Sequence, residues 1–225
     1  MNIIDALQQR KSTRAFLAQP VDREQIVRIL RAARHAPSGT NAQPWQVAVV
    51  SGEKKEELTR ALLQAFAQEG PGAMDYQYYP VEWHEPYKRR RVACGAQLYS
   101  SLQIERKDKE KRLAQWAANY RGFDAPVILF FFLDPVMQNG SSLGSFLDYG
   151  MFIQSIMLAA LAEGLATCAQ AALGQYPGLI KNFLGYSQDT TLICGMAIGY
   201  EDKEAPVNNY RTPREEVETF TRFFE

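Results

Sequence analysis

The stretch Val127-Ile128-Leu129-Phe130-Phe131-Phe132-Leu133 contains no polar side chain, and Asp134-Pro135 ends it. Side chains alternate between the two faces of an extended strand, so an unbroken apolar run has to be covered from both sides. Residues 45–50 and 191–198 have the same character and read as further buried strands. A covering layer is available in residues 146–163, a long helix with apolar residues on nearly all sides, closed by Gly164. Such a helix suits the centre of the core, a subunit interface, or both.

The remaining elements follow from caps and periodicity. Residues 2–9 form a short helix with Asn2 as N-cap and Asp5 in its first turn. Asp22 and Gln25 have capping-box spacing, and Ile26, Ile29, Leu30 and Ala33 repeat as one apolar helix face ended by Pro37 and Gly39. A turn at Gly52 leads into a charged helix to about Gln68. Residues 89–119 read as helical with a solvated charged patch over 107–111, residues 177–184 as a short helix, and Thr212-Pro213-Arg214-Glu215 as the start of a final one, with Pro at the first helical position. Residues 70–87 break the pattern: Pro71, Pro80 and Pro86, two glycines, and the rings of Tyr76, Tyr78, Tyr79, Trp83, His84 and Tyr87. A long irregular insert is usually functional or disordered, and this aromatic content argues against disorder. Few strands separated by helices give an α+β fold, with a central mixed or antiparallel sheet flanked by helices. The 225 residues fit one domain spanning 1–225, in which 70–91 is an insert or lid.

Composition narrows the function. Lys+Arg and Asp+Glu balance at 25 each, so neither a nucleic acid nor a membrane surface is favoured as a partner. The first residues show no charged region followed by an apolar one, and 146–161 is too short and polar for a span, which leaves a cytoplasmic protein as the expectation. Three cysteines without C-x-x-C spacing agree with a reducing compartment, and Cys168 and Cys194 read as small buried hydrophobes. Two histidines outside any ligand spacing give no metal site.

Two stretches carry the chemistry. Arg10-Lys11-Ser12-Thr13-Arg14 places guanidinium, ammonium and hydroxyl groups together, as suits a phosphate and a polyol. Ala36-Pro37-Ser38-Gly39-Thr40-Asn41-Ala42-Gln43-Pro44-Trp45 is a loop rich in amides and hydroxyls that ends on an aromatic residue. Phe123-Asp124-Ala125-Pro126, Asp148-Tyr149-Gly150, Gly164-Leu165-Ala166-Thr167-Cys168, Ile198-Gly199-Tyr200 and Arg211-Thr212-Pro213 follow in order. Taken together, over nearly the whole chain, these motifs resemble the FMN-dependent nitroreductase family.

That resemblance implies a nitroreductase-like fold, a homodimer with its long buried helix at the interface, and bound FMN with NAD(P)H as co-substrate. It implies ping-pong reduction of a flat aromatic acceptor, such as a nitroaromatic or quinone. Arg10, Lys11, Ser12 and Arg211 would meet the phosphate and ribityl chain, with Arg14 facing the flavin pyrimidine to stabilise the reduced ring. Asn209 stands where the family often has a second basic residue. Pro37, Ser38, Gly39, Asn41 and Gln43 would come from the other subunit. Gln170, Ala171, Ala172 and Leu173 would pass their backbone along the ring, and Asn119 and Arg121 would reach its edge.

Other readings of the same residues stay open. Arg211 equally suits a surface pair with Glu215 or Glu216, and Ser38 and Asn41 suit closing their own turns. Trp45 reads as core, and Trp116 with Tyr120 as a packing pair. The run Lys88-Arg89-Arg90-Arg91 is a solvated helix start or an attractor for the phosphates of NADPH. Family relatives with reductive dehalogenation or flavin breakdown, and a non-enzymatic dimeric module binding an acidic partner, complete the alternatives.

Overall fold

The computed structural model describes residues 2–138 and 143–225. Four strands, β1 (Trp45–Ser51), β2 (Val127–Leu133), β3 (Ala166–Gln170) and β4 (Thr191–Gly199), form one sheet in the order β1-β2-β4-β3. Every pairing is antiparallel, which settles the mixed-or-antiparallel expectation. The helices are α1 (Ile3–Gln9), α2 (Arg23–Ala33), α3 (Gly52–Glu69), α4 (Tyr87–Ser101), α5 (Lys109–Tyr120), α6 (Gly144–Ala162), α7 (Pro177–Leu184) and α8 (Val217–Phe220).

The apolar run of β2 is covered from both sides, as its composition requires. Val127, Leu129, Phe131 and Leu133 face a core built with Ile26 and Ile29 of α2 and Tyr149, Phe152 and Ile156 of α6. Ile128, Phe130 and Phe132 face the opposite layer, where Leu58 and Leu62 of α3, Tyr120 of α5 and Ile180 of α7 pack. Phe130, Phe131 and Phe132 are fully buried, each contributing about 1.5–3 kcal/mol over an exposed ring. The Asp22–Gln25 capping box and the Asn2 N-cap both form. Gly164 closes α6 with φ +75°, a left-handed conformation open to glycine.

Several expectations need correction. β1 is an edge strand paired only with β2, and Val50 is its one buried residue, so the 45–50 run is half-covered. Residues 89–119 are not one helix: α4 and α5 are separated around Gln103, which has φ +54°, and the Asp108 carboxylate accepts from the Glu105 amide in that turn. Within 70–91, α4 already begins at Tyr87, so the irregular insert ends at Pro86. The final helix is a single turn starting at Val217, with no helix at Pro213. There the Arg214 guanidinium takes the carbonyls of Thr212 and Pro213, which a helix would have used as its first acceptors. The short β3 has too few residues to register as a strand by periodicity.

Long apolar α6 is long and hydrophobic enough to cross a membrane by length and composition. One face, with Phe152, Ile156 and Ala160, is sealed in the core, while Leu147 is 71% exposed.

Candidate active site

The basic N-terminal stretch lies along the outer edge of β3. Ser12 pairs in parallel with Thr167, and the Thr13 amide donates to the Thr167 carbonyl at 3.0 Å. Asn208, buried from the far end of the chain, holds this stretch in place. Its side-chain oxygen accepts from the Arg14 amide at 2.8 Å, and its amide nitrogen donates to the carbonyls of Ala15 at 2.9 Å and Asp202 at 2.8 Å. Two of these three bonds join the two ends of the chain, and the third, to Asp202, fixes the side chain in its own segment. No sequence signal distinguished Asn208 from any other loop asparagine.

The two ends thereby enclose a cavity of about 450 Å³ whose lining includes Arg10, Ser12, Arg14, Tyr210, Arg211 and Arg214, with no carboxylate. Among the described residues the Arg10 guanidinium has no hydrogen-bond or ion-pair partner. Its pKa is lowered first by burial, then by the neighbouring charges of Arg214 and Arg211. Several guanidinium groups facing one space without a carboxylate among the described residues form a site that favours an anion.

Two expected phosphate ligands have other engagements. Lys11 is in an ion pair with Glu201 at 2.5 Å and donates to the Asn208 carbonyl, so most of its charge is already neutralised. Arg211 makes no pair with Glu215 or Glu216. Its guanidinium caps the end of α1, donating to the carbonyls of Gln8 at 2.8 Å, Arg10 at 3.2 Å and Gln9. A cation at a helix C-terminus is well placed against the dipole, and it fixes the turn that presents Arg10. With α8 starting later, Arg211 has no helix N-terminus behind it.

Arg14 also borders a second, larger cleft of about 800 Å³, so its side chain belongs to the lining of both spaces. Arg14 there donates at 3.4 Å to the hydroxyl of Tyr210. One wall is the end of β3 and the turn after it: Ala169, Gln170, Ala171 and Ala172 line the cleft, whereas Leu173 turns inward and is fully buried. Leu173 fits because Gly195 leaves room, since a Cβ there would stand 2.6 Å from the leucine Cδ1. Gln170 donates to Asn119 at 3.0 Å and 3.3 Å, which leaves its Oε1 buried and unpartnered. Asn119 lines the cleft as expected, while Arg121 pairs with Asp124 at 2.8 Å away from it.

The facing wall comes from the aromatic insert. Tyr76, Tyr78 and Tyr79 line the cleft with Trp116 and Phe123. Consecutive ring centroids are 6.2 Å (Tyr76–Tyr78), 4.6 Å (Tyr78–Tyr79) and 5.7 Å (Tyr79–Trp83) apart, a continuous aromatic surface. Its base is pinned: Tyr76 donates to the Ile193 carbonyl at 2.8 Å, and Asp75 accepts from the Leu192 amide at 2.8 Å and pairs with buried Lys181 at 3.1 Å. Burial raises the pKa of Tyr76 and of Tyr78, so both remain protonated. Trp116 lines the cleft and also reaches the hydroxyl of Tyr120, whose ring packs on Phe66 and Tyr176. Cys168 forms part of the floor, its thiol pushed up by burial.

The loop containing Pro37, Ser38, Gly39, Asn41 and Gln43 lines neither space. It sits at the start of α6, where Asp148 accepts from the Gly39 amide at 3.0 Å, and Ser38 closes its own turn on the Gln43 amide at 3.0 Å. Thr40, Asn41 and Gln43 all have positive φ, at 51°, 60° and 50°. Three left-handed non-glycine residues in one exposed loop cost of order 1 kcal/mol each, a strain that collects at functional sites. Trp45 stacks on Phe152 at 4.6 Å and belongs to the core, as its position predicts.

The model of the Nitroreductase family matches residues 7–200. A 4-nitrobenzoate reductase of Pseudomonas putida is 37% identical over 95% of this chain and 92% of its own length. A nitrobenzene nitroreductase of Ectopseudomonas oleovorans is 36% identical over 98% and 96%. Among solved structures, the FMN and NADPH-dependent nitroreductase NfnB of Sphigopyxis sp. strain HMH superposes with a TM-score of 0.93 at 39% identity, covering 100% of both chains. The FMN-dependent nitroreductase NfnB from Mycobacterium smegmatis, solved in complex with NADPH, gives 0.91 at 32% identity over 100% of both.

Proposed function

This chain belongs to the nitroreductase family, and on that premise we propose that it is an FMN-dependent oxidoreductase that uses NAD(P)H to reduce flat nitroaromatic or quinone-like acceptors. The observation that carries the reading is the junction at Arg14 between a cation-lined cavity and an aromatic-walled cleft. A phosphate belongs in the first and a planar ring system in the second, and FMN has both on one molecule. The orphaned Gln170 Oε1 gives a buried acceptor for an N–H at the ring edge.

In this assignment Arg10 and Arg214 hold the phosphate, Ser12 the ribityl chain, and Arg211 acts chiefly by fixing the turn that carries Arg10. Arg14 faces the pyrimidine side, where its charge offsets the negative charge that develops on reduction. The backbone of Ala169, Ala171 and Ala172 follows the ring, with Gln170 and Asn119 at its edge. Bound FMN supplies the two-electron relay from the nicotinamide to the acceptor. The protein keeps both reactants flat against one face by alternating occupancy, the basis of a ping-pong cycle. A nitro group takes up two electrons and two protons and releases water to become nitroso, with NAD(P)H and one solvent proton balancing the step. No carboxylate among the described residues lines the cleft, and water serves as the proton source in this reading.

The strained loop of Ser38, Gly39, Asn41 and Gln43 completes the site from a second copy of the chain. Ile3 and Ile4 of α1, Leu147 of α6, and Phe220, Phe223 and Phe224 near the C-terminus are exposed apolar residues that such a homodimer covers. Residues 1–225 then act as one FMN-binding unit in a reducing cytoplasm, which suits three unpaired cysteines. The test is to reconstitute the purified protein with FMN and follow NADPH and NADH oxidation with and without a nitroarene. Acceptor-dependent oxidation that requires FMN supports the reading, and acceptor-independent rates or indifference to FMN contradict it.

A further inference from the structure

We propose that Arg91 makes this enzyme selective for aromatic acceptors that carry an anionic group on the ring, an aromatic carboxylate in particular. The inference rests on the proposed function, in which the flavin ring lies in the larger cleft and the acceptor stacks on its open face there. Of the described side chains lining that cleft only Arg14 and Arg91 are charged, both are cationic, and no carboxylate among the described residues balances them. Arg14 lies at the junction with the phosphate cavity and already donates to Tyr210 and to the Ser12 carbonyl. Among the described residues the Arg91 guanidinium meets no carboxylate.

The run Lys88-Arg89-Arg90-Arg91 separates by geometry. Arg90 pairs with Glu215 at 2.7 Å and lies over the Tyr87 ring, while Lys88, Arg89 and Arg91 are exposed to solvent. Arg91 alone borders the cleft, with its guanidinium carbon 5.0 Å from the centroid of the Trp83 ring. An arginine held over an indole keeps its edge N–H groups available in a fixed plane, the arrangement that receives a carboxylate through two hydrogen bonds. The aromatic wall formed by Tyr76, Tyr78 and Tyr79 grips a flat ring by stacking without reading its substituents. Ring and charge are thus recognised by different residues: the tyrosines accept any planar acceptor and Arg91 ranks them by charge.

The experiment uses FMN-loaded wild type, Arg91→Gln and Arg91→Lys, with 4-nitrobenzoate and nitrobenzene as acceptors and benzoate as a ligand that cannot be reduced. Loss of a charge-assisted pair at a solvent-facing site predicts that Arg91→Gln lowers the preference for 4-nitrobenzoate over nitrobenzene, as a ratio of kcat/KM, about tenfold. Calorimetric Kd for benzoate rises by the same factor, wild-type binding weakens with added salt, and Arg91→Lys restores only part of the effect. An unchanged preference ratio overturns the proposal. So does a loss confined to the KM for NADPH, which would assign Arg91 to the coenzyme's phosphates. If the wild type oxidises no NADPH with either acceptor, the assigned reaction fails, and the benzoate Kd still decides the role of Arg91.

Discussion

Replacing Arg10 by glutamine should weaken FMN binding without weakening the apoprotein, two effects that a merely structural arginine would not separate. In the structure the Arg10 guanidinium is half-buried, has no partner among the described residues, and is opposed by Arg214 and Arg211. Its charged form is thus disfavoured in the empty protein, and neutralising it relieves repulsion. With phosphate present the same group makes charge-assisted hydrogen bonds, whose loss costs about 1.5–3 kcal/mol. That corresponds to a rise in Kd of about 10- to 150-fold. At a fixed excess of FMN the ligand-linked stabilisation falls by about 1.4–3 kcal/mol, which for a chain of this size lowers Tm by about 3–12 °C. Fluorescence titration of apoprotein with FMN gives the first quantity, and paired melts with and without FMN give the second. An FMN Kd equal to wild type, or an apoprotein whose Tm drops as far as that of the FMN-loaded form, would refute the reasoning.

Lys11→Gln provides the contrast: with Lys11 already paired to Glu201, flavin affinity should remain near wild type and stability should fall by about 1 kcal/mol or less, read by the same titrations. Asp75→Asn strands the buried Lys181 ammonium, so unfolding in urea should show a loss of about 3 kcal/mol. Because Asp75 also anchors the aromatic wall, its acceptor KM should rise more than kcat falls; a stability loss with wild-type KM contradicts the anchoring role. Stability should also decline on the alkaline side. Burial pushes the Cys194 thiol from 9.0 up to about 12 and raises Tyr120 and Tyr149, so above the ordinary thiol pKa the unfolded chain releases protons that the folded one retains. Folding is then fully favoured by these groups below about pH 9 and progressively less above it, and a urea midpoint that stays constant to pH 11 would contradict this.

Strong, local signals were legible in the sequence. The seven apolar residues of β2 demanded two covering layers, and the caps at Asn2 and Asp22 marked helix starts that the structure retains. What failed depended on partners remote in sequence. Periodicity does not tell an edge strand from a central one, so β1 was expected to be more buried than it is. The Thr212-Pro213 start was overridden by Arg214 taking the carbonyls a helix requires. The basic pentapeptide was visible, but not the division of labour within it, because Lys11 is neutralised by Glu201 and Arg14 is positioned by Asn208, both from the distant end of the chain. Arg214 and Arg91 lie within stretches the sequence already marks, a helix start and a basic run, but only the fold shows that each borders one of the two spaces.

One FMN held by the spaces on either side of Arg14 is the premise of the proposed function. Its most direct test is to saturate the purified protein with FMN, remove unbound flavin, measure bound flavin per chain, and then add NADPH anaerobically and follow the visible flavin absorption. One flavin per chain, bleached by NADPH and restored by a nitroarene, is the expected result. Protein that retains no flavin, or flavin whose colour NADPH leaves unchanged, would contradict it.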